Sequence, residues 1–502
     1  MRIPLTIPPG LDSDDTSFAA SGRWADGANV RFWRGQAQVI GGWERLMGER
    51  LNGVCRRVLA WTDLGGGLQL AFGTHTDLQI LRGGVLSKVT PEGLEAGPVD
   101  GAGGRGFGTG TYSSGTYSTP SLSDYFPRTW SLSAWGEALI ASPRGGAIYI
   151  WTHGSSQRAM RLADAPGTVS AMLVSGTDQV FALGCEEEAS GAFNPLCIRH
   201  SSIRDAEVWA TRADTTAREY ILPGGGRIVG ACNMGPGMLV WTDHSLFLGR
   251  FVGALNQPWR FDRIGEQCGL IGPNAATVVG QTAYWLGPDY QFRRCVAGGE
   301  PEVLVCPIAL DMVSHFAASQ EDKVVASSNT AFQEVRFDYP DARDGFENSR
   351  YLTLSITDGV WSRGSMARCA FIDAGPQPNP VGVSPQGDCF WHERGHSADG
   401  APFSWFLETA DNFQPGGELS LVRGIWPDIG DQIGAVTLTL VGRMNPAGPE
   451  ICRTSAVLPV GAEWVDLRVS ARLFRVKFSG DGAPTRGRLG CPVFDIVATG
   501  RR

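Results

Sequence analysis

The sequence predicts an all-β protein built as an irregular β-propeller of six or seven blades. An N-terminal arm and hairpin precede the propeller, and a C-terminal β-sandwich-like domain follows it. Glycine (67), proline (30) and tryptophan (16) are abundant, which is typical of many short strands joined by tight turns. Short apolar runs also recur in pairs separated by turn residues, and the C-terminal part alternates apolar and polar residues. We therefore predict an arm and hairpin over 1–53, a propeller body over 54–396, and a sandwich or barrel over 397–502.

The first predicted element is an extended arm over residues 1–20, because Pro4, Pro8 and Pro9 disfavour a helix. The next segment, SGRWADGANVRFWRGQAQVIGGWERL over 21–46, predicts a strand, a turn at Gly35 and a second strand.

This hairpin is rich in arginine and tryptophan, and three interpretations are open. It is a structural hairpin with arginine stacked on tryptophan, a subunit interface, or a binder of single-stranded nucleic acid. The candidate interface residues are Trp24, Arg31, Trp33, Arg34 and Trp43.

Paired apolar runs begin near residue 54 and recur at intervals of about 40 to 70 residues, as in propellers with inserts. The pairs are 68–72 with 78–81, 138–141 with 147–151, 179–183 with 196–200, 238–241 with 246–251, 282–286 with 291–296, and 324–327 with 333–338; a degenerate copy lies at 387–391. One four-stranded blade cannot cover both of its own faces, so neighbouring blades must cover them. A series of β-sandwiches is the alternative.

Between the first two pairs, residues 101–120 alternate glycine with Ser, Thr, Tyr and Phe, which predicts a long loop. Gly101, Gly103 and Gly106 formally match the dinucleotide pattern GxGxxG. That pattern requires a helix to follow, and here more glycine and serine follow. We therefore predict no nucleotide site.

The C-terminal segment carries clean period-two alternation at 435–441, 464–470, 473–478 and 492–497. These runs, joined by Gly and Pro turns, predict a small antiparallel sandwich or barrel.

The net charge of −8 argues against a protein that holds nucleic acid by neutralising phosphates, although it suits a wall along which DNA slides. The 11 cysteines are scattered without a CxxC pair, so we expect reduced, mostly buried thiols made in a cytoplasm. No signal peptide and no membrane-spanning run is visible.

The sequence contains no convincing catalytic motif, so it predicts no enzyme, no cofactor and no metal site. His392, Glu393 and His396 formally spell HExxH, but zinc chemistry needs that motif on a helix, and here a strand signal precedes it. We predict a strand-to-loop junction there. Asp341 and Asp344 are expected in a solvated turn and not in a calcium loop. A glycosidase built from distant carboxylates would leave no local pattern.

Several stretches, in collinear order, resemble the nozzle, or tail tubular protein B, family of short-tailed double-stranded DNA phages. These are GRWADGANVRFWRGQAQVIGGWERL at 22–46, CIRHSSIRDAEVWATRADTTAREYILPGGGRIVGA at 197–231, the strings LVWTDHSLFLGRFVG, FDRIGEQCGLIGPNA and AYWLG within 238–287, and RLGCPVFDIVATGRR at 488–502. The loop at 101–120 and the stretch 130–151 are also similar.

The resemblance implies a structural virion protein with a propeller body, assembled in the bacterial cytoplasm and located in the phage tail. Such proteins form a homo-oligomeric ring, here expected to be a hexamer, below the portal and adaptor. The implied partners are the adaptor and portal-proximal proteins, tail fibre or tail tip proteins, and genomic double-stranded DNA passing through the lumen without sequence-specific binding. The ring retains the packaged genome and passes it during ejection.

The loop over 101–117 is our candidate for the lumen or gate, because a gate needs a segment of low local stability. Its candidate residues are Gly103, Arg105, Phe107, Tyr112 and Tyr117. The alternative function is a carbohydrate-binding or carbohydrate-cleaving propeller that acts in receptor recognition, and a single-strand nucleic-acid binder is a third.

Overall fold

The computed structural model describes residues 1–16, 19–20, 22–101, 126–154, 157–254, 256–411, 418–445, 448–480 and 484–500. Strands dominate this part of the chain. Five short strands come first: β1 (Arg2–Pro4), β2 (Trp24–Ala28), β3 (Val30–Trp33), β4 (Gln36–Val39) and β5 (Trp43–Arg45). Strands β3 and β4 pair as an antiparallel hairpin around Arg34 and Gly35, which confirms the predicted turn.

Six consecutive four-stranded antiparallel sheets follow, and each is a meander in chain order. Sheet I contains β6 (Cys55–Thr62), β7 (Leu68–Thr74), β8 (Leu78–Arg82) and β9 (Val85–Lys88). Sheet II contains β10 (Trp130–Trp135), β11 (Ala138–Pro143), β12 (Tyr149–Trp151) and β13 (Met160–Arg161). Sheet III contains β14 (Val169–Val174), β15 (Val180–Glu186), β16 (Phe193–His200) and β17 (Arg218–Ile221).

The next three meanders have the same order of strands. Sheet IV contains β18 (Ile228–Met234), β19 (Gly237–Thr242), β20 (Ser245–Ala254) and β21 (Gln257–Glu266). Sheet V contains β22 (Ala276–Val279), β23 (Thr282–Leu286), β24 (Phe292–Val296) and β25 (Glu302–Leu304). Sheet VI contains β26 (Val325–Asn329), β27 (Glu334–Pro340), β28 (Asn348–Ser355) and β29 (Val360–Ser365).

Helix α1 (Ala309–His315) and a 3₁₀ segment (Ala318–Lys323) connect sheets V and VI, and a 3₁₀ turn (Thr330–Phe332) lies between β26 and β27. No helix of the described residues is long and apolar enough to cross a membrane.

Sheet VII takes its outermost strand from the beginning of the chain. It contains β30 (Ala370–Ile372), β31 (Val381–Val383) and β32 (Cys389–His392), and β5 pairs antiparallel with β32 as its fourth strand. Residues near position 44 therefore complete a sheet that begins more than 300 residues later.

The seven sheets close into a circle through their first strands. The contacts run from β6 to β10, β14, β18, β22, β26 and β30, and β30 returns to β6. Side chains also connect sheets that are not neighbours in this circle. Asn274, before β22, donates its Nδ2 to the Arg56 carbonyl of β6 and accepts from Arg57, and Arg144 after β11 pairs with Asp322 at 2.9 Å. Polar contacts therefore cross the circle.

The C-terminal strands form three further sheets together with β1 to β4. They are β33 (Trp405–Thr409), β34 (Leu419–Trp426), β35 (Ile429–Ile433), β36 (Val436–Arg443), β37 (Glu450–Leu458), β38 (Val465–Ala471), β39 (Leu473–Gly480), β40 (Arg486–Leu489) and β41 (Val493–Gly500). Sheet VIII has the order β1-β41-β34-β38, sheet IX the order β2-β33-β39-β36-β37, and sheet X the order β3-β4-β40-β35. Sheets VIII and IX bury their apolar side chains in one shared cluster.

The prediction of an all-β chain with repeated antiparallel sheets in a propeller-like arrangement is confirmed. The predicted pairs at 68–81, 138–151, 179–200, 238–251 and 282–296 are the central hairpins of sheets I to V. The four alternating runs after residue 434 are strands β36, β38, β39 and β41.

Candidate functional site

The hairpin of β3 and β4 is held by a buried cluster of charged side chains, which is the most elaborate polar arrangement near a predicted site. Arg31 of β3 is only 4 % exposed. Its guanidinium pairs with Glu393, which follows β32 of sheet VII, and its Nε lies 3.3 Å from Oε1 of Glu334 in β27 of sheet VI. The same group lies 3.7 Å above the ring of Phe332. Arg31 therefore joins the hairpin to two sheets.

Glu393 is placed by a close approach of two backbone segments. The loop after β32 passes so near Gly41 that a Cβ there would overlap the Glu393 carboxylate and crowd its backbone. Glu393 Oε1 also accepts a hydrogen bond of 3.0 Å from Asn329 Nδ2. The glycine in the segment before β5 is thus required for the Arg31 pair to form.

Glu334 has an unusual protonation equilibrium for a glutamate. Burial and the neighbouring Glu393 carboxylate raise the pKa of Glu334, Arg31 and Arg336 lower it, and the net result is a pKa of about 7. Glu334 is consequently the member of the cluster that titrates near neutral pH.

Behind Glu334 lies a second layer of buried charge. Arg336 pairs with Asp338 on the same face of β27 and lies 3.8 Å from the centre of the Tyr351 ring. Arg368 Nε donates a hydrogen bond of 2.9 Å to His392 Nε2. Burial, together with the Arg368 and Arg336 charges, holds the pKa of His392 well below its ordinary range, which keeps this imidazole a neutral acceptor.

The cluster encloses a cavity of about 30 Å³, lined by Arg31, Glu334, His392 and Glu393 among others. This space holds about one water molecule and no substrate. The acidic and basic side chains that surround it are engaged with one another. The arrangement is therefore suited to clamp the hairpin onto sheets VI and VII.

The five candidate interface residues lie in three environments. Trp24 of β2 is buried and packs against Phe478 of sheet IX at 6.5 Å between ring centroids. Trp33 packs edge-on against Phe332 at 5.6 Å, and the exposed Arg34 stacks on Trp33 at 4.3 Å. These three and Arg31 make contacts within the chain.

The fifth candidate, Trp43, lies on β5, outside the hairpin. Its ring stacks on His392 at 5.9 Å and contacts Phe403 at 5.2 Å. Of the five candidates, the structure brings together Arg31, Trp33 and Arg34. The burial of Trp24 and Arg31 inside one chain leaves little of either side chain for a neighbouring subunit.

The candidate gate residues Gly103, Arg105, Phe107, Tyr112 and Tyr117 lie in 102–125, outside the described residues. The residue just before them is anchored. Gly101 exchanges two hydrogen bonds with the Gln320 side chain, of 3.0 and 3.2 Å. Gln320 lies in the 3₁₀ segment that also carries Asp322, so Gly101 is held beside the region where contacts cross the circle.

The HExxH match is a strand-to-loop junction, as predicted, because β32 ends at His392 and a turn follows. His392 is engaged with Arg368 and Glu393 with Arg31. Within the described ranges, no group of three His, Cys, Asp or Glu side chains is placed to hold a metal ion.

The prediction of a solvated turn around Asp341 and Asp344 is wrong for Asp341. Asp341 is buried and pairs with Arg343 and Arg350, and Asp344 pairs with Arg350. The loop is closed by these arginines, which lie two to nine residues further along the chain.

The predicted free thiols are present. All 11 cysteines are free, and seven of them are buried: Cys55, Cys185, Cys197, Cys268, Cys295, Cys369 and Cys389. Burial raises the pKa of Cys369 to about 12, so this thiol is unreactive near neutral pH.

Sequence reasoning missed Glu334, which contacts Arg31, and also Asn329 and Arg368, which contact Glu393 and His392. They lie about 300 residues from Arg31 in the chain, and no local pattern connects them. The sequence held one signal of the cluster. Arg336 and Asp338 are two positions apart, so on a strand their opposite charges lie on the same face.

No protein-family model matches this chain, and no curated protein matches it. Among solved structures, PorZ, a surface component of the type-IX secretion system of Porphyromonas gingivalis, is 11% identical with a TM-score of 0.37, over 85% of this chain and 46% of PorZ. BamB from Moraxella catarrhalis is 12% identical with a TM-score of 0.38, over 70% of this chain and 99% of BamB. A streptogramin B lyase is 9% identical with a TM-score of 0.33, over 55% of this chain and 89% of the lyase.

This chain thus spans less than half of the length of PorZ. With TM-scores below 0.5, none of these likenesses bears on activity, substrate or partner.

Proposed function

We propose that this chain is a structural virion protein of a short-tailed phage, a nozzle subunit that assembles into a ring below the portal and adaptor. The ring, expected to be a hexamer, serves as the DNA conduit, retains the packaged genome and passes it during ejection. The proposal starts from the collinear resemblance of the sequence to that family.

One observation on the structure supports assembly in particular. Strands β20 and β21 of sheet IV are 10 residues each and continue pairing out to Ala254 and Gln257. Residues 250–254 of β20 are exposed, and among them Val252 is 54 % exposed. An exposed apolar hairpin tip is a typical subunit contact. This hairpin also falls within the stretch 238–287 that carries the strongest strings of the resemblance.

We further infer that sheets I to VII are the seven blades of one propeller, closed by β5, and that sheets VIII and IX form the C-terminal sandwich. A closed circle leaves few free sheet edges and gives a rigid subunit. Such rigidity suits a ring that must hold a packaged genome.

The conduit would lie between subunits and not along the axis of one chain. The hydrogen bonds of Asn274 with Arg56 and Arg57, and the pair of Arg144 with Asp322, bridge the circle of sheets. A ring needs two different surface patches that meet in a closed cycle, and the β20–β21 tip is our candidate for one of them.

Negative-stain electron microscopy of the purified chain, alone and mixed with phage portal–adaptor complexes, tests the proposal. Rings, or added density beneath the adaptor, are the expected result. A stable monomer that ignores the adaptor would contradict it.

The contact patch is tested with Val252→Asp, which places a charge on the exposed tip and is expected to abolish rings while the melting temperature stays unchanged. The matched control is Val85→Asp, because Val85 is an exposed valine (65 %) on the outer strand of sheet I. Equal ring formation by both variants would remove the hairpin tip from the interface.

A further inference from the structure

The outer face of sheet VIII carries an open groove that the nozzle function does not use. Its volume is about 770 Å³, and Arg2, Trp426, Trp464, Asp466, Arg468 and Asp495 contribute to its lining. These side chains come from β1, β34, β41 and β38 and the residue that precedes β38. Because alternate residues of a strand face the same side, Arg423 of β34 and Arg468 of β38 point outward while Val422, Leu467 and Val469 are buried.

The groove is built around a flat indole. Trp464 lies directly over Gly424, where a Cβ would overlap the six-membered part of its ring, and a bulge in β34 falls at this glycine. The Trp464 Nε1–H donates a hydrogen bond of 3.0 Å to Asp466, and Trp426 packs against the indole with 4.4 Å between ring centroids. Trp464 is nevertheless 36 % exposed. One indole face therefore rests on the glycine backbone, and the indole remains open to solvent.

Side chains of both charges surround the Trp464 indole, and the arginines outnumber the aspartates. Arg2 stacks on Trp426 at 4.6 Å, Arg423 pairs with Asp495, and the Arg468 guanidinium is exposed. Three guanidinium groups thus face two carboxylates, on a chain whose formal net charge is −8. The groove is a locally basic site on an acidic protein.

We infer that this groove binds an acidic oligosaccharide, with a sugar ring stacked on Trp464. The apolar face of a pyranose fits a flat aromatic surface, which also supplies contact area at low entropic cost. Asp466 accepts hydrogen bonds from sugar hydroxyls, and Arg468 receives the sugar carboxylate in a bidentate pair. The inference does not depend on the formation of a ring.

Single-stranded nucleic acid is the other ligand with flat faces and negative charge, and the groove suits it less well. Such binding uses successive stacking surfaces along a basic track. Here Arg2 already covers Trp426, which leaves Trp464 as the stacking surface. The carboxylates of Asp466 and Asp495 would repel phosphates, whereas they can accept hydrogen bonds from sugar hydroxyls.

Isothermal titration calorimetry on the full chain tests the inference with three probes: trigalacturonate, its neutral counterpart trigalactose, and a short oligothymidylate. Trigalacturonate is expected to bind, and trigalactose to bind about tenfold more weakly because the carboxylate contact is lost. The variant Arg468→Gln is expected to remove this tenfold preference. Trp464→Ala is expected to abolish binding, and Trp464→Phe, which keeps a flat ring, to restore part of it.

The matched control is Arg453→Gln, because Arg453 is an exposed arginine on β37 of sheet IX, away from the groove lining. It should bind trigalacturonate as the unchanged chain does. Absence of trigalacturonate binding, or equal binding of the neutral sugar, would overturn the inference, and binding of oligothymidylate alone would make this a nucleic-acid site. Ring formation by Arg468→Gln in electron microscopy, expected to be normal, separates this result from a failure of the nozzle proposal.

Discussion

Arg31 is a single residue on which two carboxylates of other sheets depend. Its removal leaves Glu334 and Glu393 close together without their shared cation. Breaking a buried ion pair in this way costs about 3–5 kcal/mol. We therefore expect Arg31→Ala to lower the free energy of unfolding by about 3 kcal/mol or more, as measured by urea denaturation followed by circular dichroism.

The control for this prediction is Arg34→Ala. Arg34 is exposed on the same hairpin and stacks on Trp33, so its loss should change stability by less than about 1 kcal/mol. If both variants lost the same small amount, Arg31 would not be a clamp, and its role as an interface residue would return.

The buried carboxyl of Glu334 should make the stability of the protein depend on pH. Its pKa rises from an ordinary 4.5 to about 7 on folding, because the side chain is buried. Between these values the folded protein keeps a proton that the unfolded chain has released, so this residue lowers stability as pH increases from about 4.5 to 7. Glu334→Gln should therefore gain stability relative to the unchanged chain across that window.

Urea denaturation at a series of pH values measures this difference. Glu137→Gln, at an exposed glutamate between β10 and β11, is the control for the loss of one carboxylate elsewhere on the chain. A difference for Glu334→Gln that does not vary with pH would show that folding leaves the pKa of Glu334 unshifted.

At the scale of elements, β5 completes sheet VII as its outermost strand. The Leu46 N–H, just after β5, donates a hydrogen bond of 2.8 Å to the Cys389 carbonyl of β32. Leu46→Pro removes this donor and leaves a buried carbonyl unpaired, which costs about 1–3 kcal/mol. We expect faster hydrogen exchange along β32 and lower stability than in Leu46→Ala, which keeps the N–H. Equal exchange in the two variants would mean that β5 does not hold the sheet closed.

The whole molecule is interleaved, because the two ends of the chain share their sheets. Strands β1, β2 and β4 pair with β41, β33 and β40, and β5 lies only three residues after β4 but belongs to sheet VII. We expect calorimetry of the full chain to show one cooperative transition, since sheet VII cannot lose β5 without disturbing the hairpin. Two well-separated transitions would show that the C-terminal sheets unfold independently.

The chain by itself determined the class of fold and much of its local structure. Period-two alternation reports a strand with one buried face, so the C-terminal strands were predictable. The central strands of the repeated sheets were also predictable, because burial on both faces leaves a continuous apolar run, as in β11 and β15. The outer strands were weaker signals, since β9 and β13 are largely exposed and carry no apolar pattern.

Tertiary structure alone decided which distant strands pair and which side chains meet. The addition of β5 to sheet VII, the two carboxylates around Arg31, and the approach of Trp464 to Gly424 each join segments that local sequence does not relate. The physical reason is that hydrophobic periodicity acts between near neighbours in the chain. Long-range pairing depends instead on how the whole chain closes, and the entropic cost of closure rises only slowly with separation. A partner 350 residues away costs only about 2 kcal/mol more to close than one 40 residues away, a difference that favourable packing can outweigh.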